Sequence, residues 1–430
     1  MKVYAIGGYS EAGKNMTAIE VDNKVVIFDM GLYLPAIINY ADGDAHTLNG
    51  EQLQEIGAIP QDELIKNKEV IAIVAGHGHL DHVGAIPYLA GKYNCPVIGT
   101  RYTVEIIRDI CKDKKIDIKN LRVLNNNSRL QFGDFTIQFI HITHSIPQTC
   151  LVVLHTKEGN VVYCNDFKLD NNPVIGKKPN YEAIKKVENV KLLIMDSLNS
   201  EREGKTPSER VARELLKDVM LNENLEGSCI IVTTFASHIQ RLKSIVEMSK
   251  RINRKIVFLG RSLHKYVGAA ENIELVNFSK DAEIIGFSGK VKSKLSEINK
   301  NKGDYVVICT GNQGEPGAVL RRIAENETPF KFSSRDMVIF SCRTIPTPET
   351  EENREYLEGL LKKSNVRVFK DIHVSGHGSQ GDHREMIEML KPEYVLPSHG
   401  DAKITKPVKE LAERLGYKSM LMKDQQVIKI

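Results

Sequence analysis

Three histidines and an aspartate fall within six residues of one loop: His77, His79, Asp81 and His82 in Ala75-Gly-His-Gly-His-Leu-Asp-His. The loop follows directly on the apolar run VIAIVAG, the pattern of a short strand buried on both faces. A surface loop has no structural need for such density, and a core would bear the cost of burying every one of those polar groups. Neutral imidazole and carboxylate are good ligands for zinc and similar ions. His77 and His79 project on the same side of an extended segment and can hold one ion. Asp81 and His82, just past the bend, can face a second.

One loop cannot fill two coordination shells. His144 in HITHSIPQT, Asp166 in CNDFKLD and His399 in PSHGD each follow an apolar run by zero to two residues, which places them at the rim of a sheet. A carboxylate such as Asp166 can bridge two ions about 3.5–4 Å apart, the spacing of hydrolytic two-metal sites. A second glycine-rich stretch is a decoy. Gly8 to Asn15 nearly matches the P-loop GxxxxGK[ST], but Asn15 lacks the hydroxyl that ligates magnesium, and the residues after it have strand periodicity where a P-loop needs a helix. Its glycines are expected to shape a tight loop beside a site.

The elements that must position these residues change character along the chain. KVYAIGG, MTAIEVDNKVVIFDMG with a turn at Asp22-Asn23, TIQFIHIT, TCLVVLHT and NVVYCNDF read as strands, so the first half is expected to pack sheet on sheet. From about Val190, strands (KLLIMDS, CIIVTTF, KIVFLG, VVICTG, MVIFSC) alternate with helices, the pattern of a parallel sheet flanked by helices. Thr206, Pro207 and Glu209 are expected to start one helix as N-cap, first residue and capping-box partner. After about Arg367 come a strand, a helix (GDHREMIEMLK) and the strand YVLPSHG.

The 430 residues suggest two to three domains at about 150 residues each. Hydrophobic residues at 41% and charged ones at 27% are ordinary for a globular protein and exclude collagen, low-complexity disorder and a small cysteine-rich scaffold. The seven cysteines form no CxxC pair and read as small buried hydrophobes. No apolar run approaches the ~20 residues of a membrane span, and MKVYAIGGYSEAG is too short in apolar residues for a signal peptide, so no membrane and a cytoplasmic location are expected. A formal charge of +4 permits a polyanionic substrate without arguing for one.

HGHLDH resembles the HxHxDH motif of the metallo-β-lactamase fold, and Asp29 in IFDMG, His144, Asp166 and His399 match its other positions. The central segment resembles the β-CASP domain, with Asp196 in MDSLNSEREG, His377 in HVSGHGSQ and His399 in LPSHG as landmarks. GGYSEAGKNM, DMGLYLP, THSIPQT, NDFKLD, EREGKTPSE, FASHIQR, GRS, CTGNQGEP and SGHGSQ resemble ribonuclease J in particular. The resemblance runs from residue 7 to 401. It implies an α/β chain: a metallo-β-lactamase αββα sandwich made of residues 1–205 and 366–430, with a β-CASP domain, a parallel sheet flanked by helices, inserted at 206–365. It departs from the family at Asn165, where glycine is usual and where asparagine tolerates unusual backbone angles. The 37–62 segment is longer than in bacterial members and has no assigned role. With about 30 residues after His399, and a first strand at residue 2, neither the extra C-terminal domain of bacterial members nor N-terminal KH domains are expected.

The implied cofactors are two Zn2+, with Mn2+ or Mg2+ as alternatives in activity. His77, His79 and His144 would hold the first, Asp81, His82 and His399 the second, and Asp166 both. Zinc lowers the pKa of bound water toward ~7, and Asp81 would orient the resulting nucleophile. Asp29 would fix a histidine ligand through its ring N–H, and Asp196 would do the same for His399 or His377. His377 is implied to contact the scissile phosphate and protonate the leaving 3′ oxygen; the alternative is a structural histidine in a glycine-flanked turn. Ser237, Gly378 and Ser379 resemble a pocket for a 5′-terminal phosphate, the alternative for the serines being helix capping. Arg261 and His238 are weaker candidates for backbone contacts, and the basic stretch Lys243 to Lys255 reads as a solvated helix face or an RNA guide. The implied function is a zinc-dependent ribonuclease, a 5′-to-3′ exonuclease preferring 5′-monophosphate ends of single-stranded RNA, in RNA decay or processing, as a homodimer. The alternatives are an endoribonuclease of the cleavage-factor type or a DNA nuclease of the same superfamily. A small-molecule hydrolase would not need the inserted domain, and a dead RNA-binding subunit would not keep every expected ligand.

Overall fold

The structure, a computed structural model, describes residues 1–39, 48–223 and 225–430. The 37–62 segment lies partly outside the described residues. Its described part includes a capped helix, Gly50–Glu55, at whose start the Asn49 and Gln52 side chains cap each other's backbone N–H.

The chain divides into two units: Met1–Asn171, Gly176–Thr206 and Ser375–Ile430 form one, and Asn172–Ile175 with Pro207–Val374 the other. In the first unit Met16–Val21 and Lys24–Phe28 pair antiparallel across Asp22 and Asn23, both left-handed at φ 51° and 63°. Short polar side chains tolerate that conformation, which matches the twist of a two-residue hairpin. Around them lies a seven-stranded sheet in the order Gln426–Lys429, Lys2–Gly7, Met16–Val21, Lys24–Phe28, Glu69–Val74, Val97–Gly99 and Leu121–Val123. A second seven-stranded sheet runs Lys418–Ser419, Tyr394–Ser398, Val190–Asp196, Gly159–Cys164, Cys150–Thr156, Phe135–His141 and Arg129–Phe132.

The two sheets share one apolar core. Val3, Phe28 and Val74 of the first meet Phe139, Val152, Tyr163 and Leu396 of the second, and Phe28 stacks on Tyr163 with ring centroids 5.0 Å apart. The opposite face of the second sheet buries Leu193, Met195 and Val395 against Met386, Ile387, Val408 and Leu411 of the helices Gln380–Leu390 and Ala402–Arg414. Alternate strand residues thus serve opposite faces.

The second unit holds a six-stranded sheet in the order Ala282–Ile285, Lys255–Leu259, Tyr305–Cys309, Ile230–Thr233, Met337–Phe340 and Arg367–Phe369, every pairing parallel. Helices Ser288–Lys300 and Pro348–Lys363 cover one face through Leu295, Ile298, Leu357 and Leu361. Two local contacts set where this unit begins and ends. The Val174 and Ile175 N–H groups donate to Gln240 Oε1 at 2.8 and 3.2 Å, which joins 172–175 to it. Arg367–Phe369 pairs with Met337–Phe340 as the edge strand, so the unit runs to Val374 rather than to 365.

The helix expected from Thr206 starts later, at Glu209 with Ser208 as N-cap. A buried charge explains the shift. The Glu209 carboxylate turns inward to the fully buried Arg241, which donates to it from Nε at 2.5 Å and Nη2 at 2.9 Å. Arg241 Nη1 donates to the Ser341 and Ile372 carbonyls at 2.6 and 3.0 Å. Burial alone would push the Glu209 carboxyl up, but Arg241 and His238 together hold it well below the usual carboxylate range. Glu209→Gln strands the guanidinium without its counter-charge, which costs about 3–5 kcal/mol in buried pairs. Urea unfolding should register a loss of that size; an unchanged midpoint would mean that water already screens the pair.

Candidate metal centre

Apart from His377, the chemically active side chains of the first unit stand at the C-terminal end of a strand or in the segment that leaves it. Asp29 follows Lys24–Phe28, with φ 59° and its N–H on the Val74 carbonyl at 3.0 Å. Its Oδ1 accepts from the Gly76 N–H at 2.9 Å, which fixes the start of the histidine loop. His77 and His79 follow Glu69–Val74, and His79 precedes the short helix Leu80–Val83 that carries Asp81 and His82. The loops bearing His144 and Asp166 are clamped by a bridge: the Lys168 N–H donates to the Thr143 carbonyl at 2.8 Å and the Thr143 hydroxyl to the Lys168 carbonyl at 2.5 Å. Asp196 ends Val190–Asp196 and pairs in register with Ser398, so His399 emerges beside it. His399 is left-handed at φ 63°. A side chain larger than glycine rarely adopts this angle, and such outliers cluster at functional sites.

These positions bring seven donors into two sets that share Asp166. In the first, His77 Nε2 and His144 Nε2 lie 3.0 and 3.2 Å from His79 Nδ1, and 3.6 and 3.5 Å from Asp166 Oδ2. In the second, His82 Nε2 and His399 Nε2 lie 3.3 and 3.7 Å from Asp166 Oδ1, and 3.5 and 3.7 Å from Asp81 Oδ2. Each Asp166 oxygen faces a different set. A third group joins Asp166 and Asp196 to His377, whose Nδ1 bonds Asp196 Oδ2 at 2.8 Å and whose Nε2 lies 3.9 Å from Asp166 Oδ2.

The imidazoles are oriented from behind. His82 Nδ1 sits on Asp29 Oδ2 at 2.7 Å, and the Tyr163 hydroxyl donates to the same oxygen at 2.8 Å. His144 Nδ1 donates to the Gly376 carbonyl at 2.8 Å, and His399 Nδ1 lies 2.9 Å from Asn15 Oδ1. Fixing one ring nitrogen leaves the lone pair of the other aimed inward.

The electrostatics favour a divalent cation in both sets. Burial above all, with the neighbouring imidazoles, holds His77 and His144 well below the ordinary histidine range; burial brings His79 down to about 4. Neutral imidazole is the form that ligates. Burial works against ionised Asp166, but the imidazoles of His399, His82 and His377 hold its carboxyl well below the usual range. Burial likewise opposes charge on His82, yet Asp166, Asp81 and Asp29 overcome it and raise its pKa well above the usual value. A field that draws a proton there draws a metal ion equally. Asp166 Oδ1 is buried and accepts no hydrogen bond, an unmet cost that a coordinated cation would remove. The donor set, five imidazoles and two carboxylates, fits two divalent ions.

Burial also opposes charge on His377, but Asp196 and then Asp166 outweigh it and push its pKa up to about 9. The ring is 21% exposed, at the open rim. Asp196 orients His377, while its own backbone carbonyl accepts from His383 Nε2 at 2.9 Å.

The expected RNA contacts divide. The Gly378 N–H is already bonded to the Phe167 carbonyl at 2.6 Å, so it has no free donor for a phosphate. The Ser379 hydroxyl is shared with the Thr206 hydroxyl at 2.9 Å, and Ser379 stands as N-cap of Gln380–Leu390. Ser237 and Arg261 belong to the second unit, Ser237 buried just before helix Ile239–Arg251 and Arg261 exposed at the start of Arg261–Asn272. In the basic stretch Arg254 is structural, its Nη1 on the Ser228 carbonyl at 2.6 Å, and Lys250 pairs with Asp281 at 2.8 Å. Asn165 is not left-handed. Its amide packs on Gly76, where an added Cβ would come within 1.7 Å of Asn165 Nδ2. Tyr163, His383 and the Gly376 carbonyl carry no sequence signal, because each acts on a residue far along the chain.

Three family models match. "Metallo-beta-lactamase superfamily" covers residues 11–203, "Ribonuclease J, beta-CASP domain" covers 227–356, and "Zn-dependent metallo-hydrolase RNA specificity domain" covers 365–422. The chain is 47% identical to the ribonuclease J of Methanocaldococcus jannaschii over 97% of its own length and 95% of that protein's. It is 43% identical to the ribonuclease J of Pyrococcus abyssi, over 97% and 93%. With ribonuclease J2 of Bacillus subtilis the identity is 30% over 97% of this chain and 72% of that one. A solved structure of a protein of unknown function from Enterococcus faecalis V583 shares the fold at a TM-score of 0.71 and 18% identity, covering 99% of each chain. No helix among the described residues is long and apolar enough to cross a membrane.

Two substitutions probe the supports behind the donors. Asp29→Ala removes the carboxylate behind His82 and should weaken divalent metal binding about 10–100-fold, the usual cost of losing such a partner. In Gly31→Ala the new Cβ would lie 1.6 Å from the Asp81 carbonyl oxygen and 2.7 Å from the Asn15 nitrogen, both backbone. Asp81 must move, and the metal content by mass spectrometry should fall. Wild-type content in both variants would contradict the donor geometry.

Proposed function

We propose that this chain, which belongs to the ribonuclease J family, is a zinc-dependent ribonuclease that degrades single-stranded RNA from its 5′ end, in the cytoplasm, in RNA decay or processing. The observation that carries the reading is the pair of donor sets sharing Asp166, with His377 held beside them by Asp196. His77, His79, His144 and Asp166 would hold one zinc ion, and Asp81, His82, His399 and Asp166 the other, with Mn2+ or Mg2+ as substitutes in activity. Bound there, the ions would supply a water acidic enough to attack a phosphodiester near neutral pH and would offset the phosphate charge.

The chain's own residues do the rest. Asp81, at the edge of the second set, orients the attacking water with its carboxylate. His377, protonated at neutral pH, donates its Nε2 proton to the leaving 3′ oxygen, while Asp196 on Nδ1 holds the ring and stabilises its charge. The name of the matched C-terminal family, an RNA specificity domain, and the relatives' names support RNA as substrate. Ser379, Ser237 and Arg261 are carried as RNA contacts, and a homodimer as the assembly; light scattering would report twice the 48.3 kDa of one chain.

A specific observation favours a second reading, internal cleavage. The Gly378 N–H, one of the donors expected for a 5′-terminal phosphate, is spent on Phe167. One unstructured RNA carrying a 5′-monophosphate, 5′-hydroxyl or 5′-triphosphate decides between the two. Fastest decay of the monophosphate with mononucleotide release supports the exonuclease. Equal rates with internal fragments first would replace it with an endonuclease, and cleavage of DNA alone would remove RNA as substrate.

His377→Ala should slow cleavage by about 10²–10⁴-fold, the range for a general acid, with metal content unchanged. Asp196→Asn removes the charge that raises the His377 pKa, so the basic limb of the pH–rate profile should move to lower pH. A limb that stays in place would assign the proton transfer to another group.

A further inference from the structure

The glycine-rich stretch Gly8 to Asn15, which imitates a P-loop and binds no phosphate in the reading above, has a different use. We propose that Asn15 is a positioning residue that fixes the tautomer of His399 and thereby selectively tightens the second metal position. The inference rests on the reading of Asp81, His82 and His399 as that position.

Hydrogen-bond chemistry leaves the Asn15 amide one orientation. Asn15 is 3% exposed. Its Nδ2 lies 3.1 Å from the Asp81 carbonyl oxygen, and a carbonyl can only accept. The amide therefore presents its NH2 to Asp81 and its oxygen to His399 Nδ1, 2.9 Å away. An amide oxygen can only accept, so His399 must carry its proton on Nδ1. The lone pair of His399 is left on Nε2, the atom that faces Asp81 and Asp166 at 3.7 Å. The backbone that carries the amide is fixed as well, because the Asn15 N–H donates to the same Asp81 carbonyl at 2.9 Å and the Asn15 carbonyl accepts from the Gly31 N–H at 3.0 Å.

The same loop holds the backbone of His399. The Gly8 carbonyl accepts from the His399 N–H at 2.6 Å and the Gly400 N–H at 3.2 Å, at the left-handed turn where His399 leaves its strand. Gly8 is itself left-handed, at φ 86°, and a Cβ there would sit 2.4 Å from Asn15 Oδ1. Asn15 Nδ2 also lies 3.2 Å from His82 Nε2. Asn15 thus touches Asp81, His82 and His399, the three residues of the second set other than Asp166.

The test compares wild type, Asn15→Ala and Asn15→Asp by Zn2+ titration, with imidazole 15N NMR on the metal-free proteins. Asp keeps an acceptor for His399 Nδ1–H. Expected are two ions in wild type, a second ion bound about 10–100-fold more weakly in Asn15→Ala with the first unchanged, and recovery in Asn15→Asp. The metal-free NMR should show His399 protonated on Nδ1 in wild type and a mixture of tautomers in Asn15→Ala. Equal weakening of both ions, unchanged binding of both, or an unchanged tautomer in Asn15→Ala would overturn the inference. If Asn15→Ala does not fold, Asn15→Asp decides: His399 must remain protonated on Nδ1 with two ions bound. A wild type that binds fewer than two ions would instead defeat the metal assignment itself, so the two failures are separable.

Discussion

Asp166 is 2% exposed, yet five imidazole nitrogens, from His77, His82, His144, His377 and His399, lie between 3.3 and 3.9 Å of its two oxygens. A carboxylate in that position loses most of its hydration, and only positive charge close by compensates. His77 and His144 are held neutral, while Asp166 itself helps to raise the pKa of His82, which faces Oδ1, and of His377, which faces Oδ2. Divalent cations held among the seven donors of the site would supply compensating charge to both oxygens.

The rest of the first unit follows from it. Donors must arrive from several directions at one point, and the C-terminal ends of strands in two face-to-face sheets supply them. Asp29 and the histidine loop come from the first sheet; His144, Asp166, Asp196 and His399 come from the second. Phe28, one residue before Asp29, stacks on Tyr163, whose hydroxyl holds Asp29. The packing of the core and the aim of His82 are thus set by one contact. The left-handed angles at Asp29 and His399 are sustained because hydrogen bonds on both sides fix them.

The donors were legible in the sequence because histidine and aspartate at that density have almost no structural use, and because each follows an apolar strand. The sheets were legible from alternation and buried runs. What stayed hidden acts through single contacts between distant residues. The start of the helix at Glu209 was misread because local capping chemistry favoured Thr206, whereas Arg241, 32 residues on, claims the Glu209 side chain. The Thr206 N–H caps onto Asp382 instead, 176 residues away. The family resemblance implies a phosphate donor at Gly378, and only the fold reveals the Phe167 carbonyl that takes its N–H. The partners of Asn15 were equally hidden: the sequence excludes a P-loop there, but only the fold brings the amide to His399, 384 residues away.

If two cations bind, Asp166 would offer one carboxylate oxygen to each donor set. Crystals grown with Zn2+ and measured at its absorption edge test it directly. Two anomalous peaks are expected about 3.5–4 Å apart, one among His77, His79 and His144 and the other among Asp81, His82 and His399, with Asp166 between them. A single peak, or two peaks of which either lies beyond reach of Asp166, would contradict it.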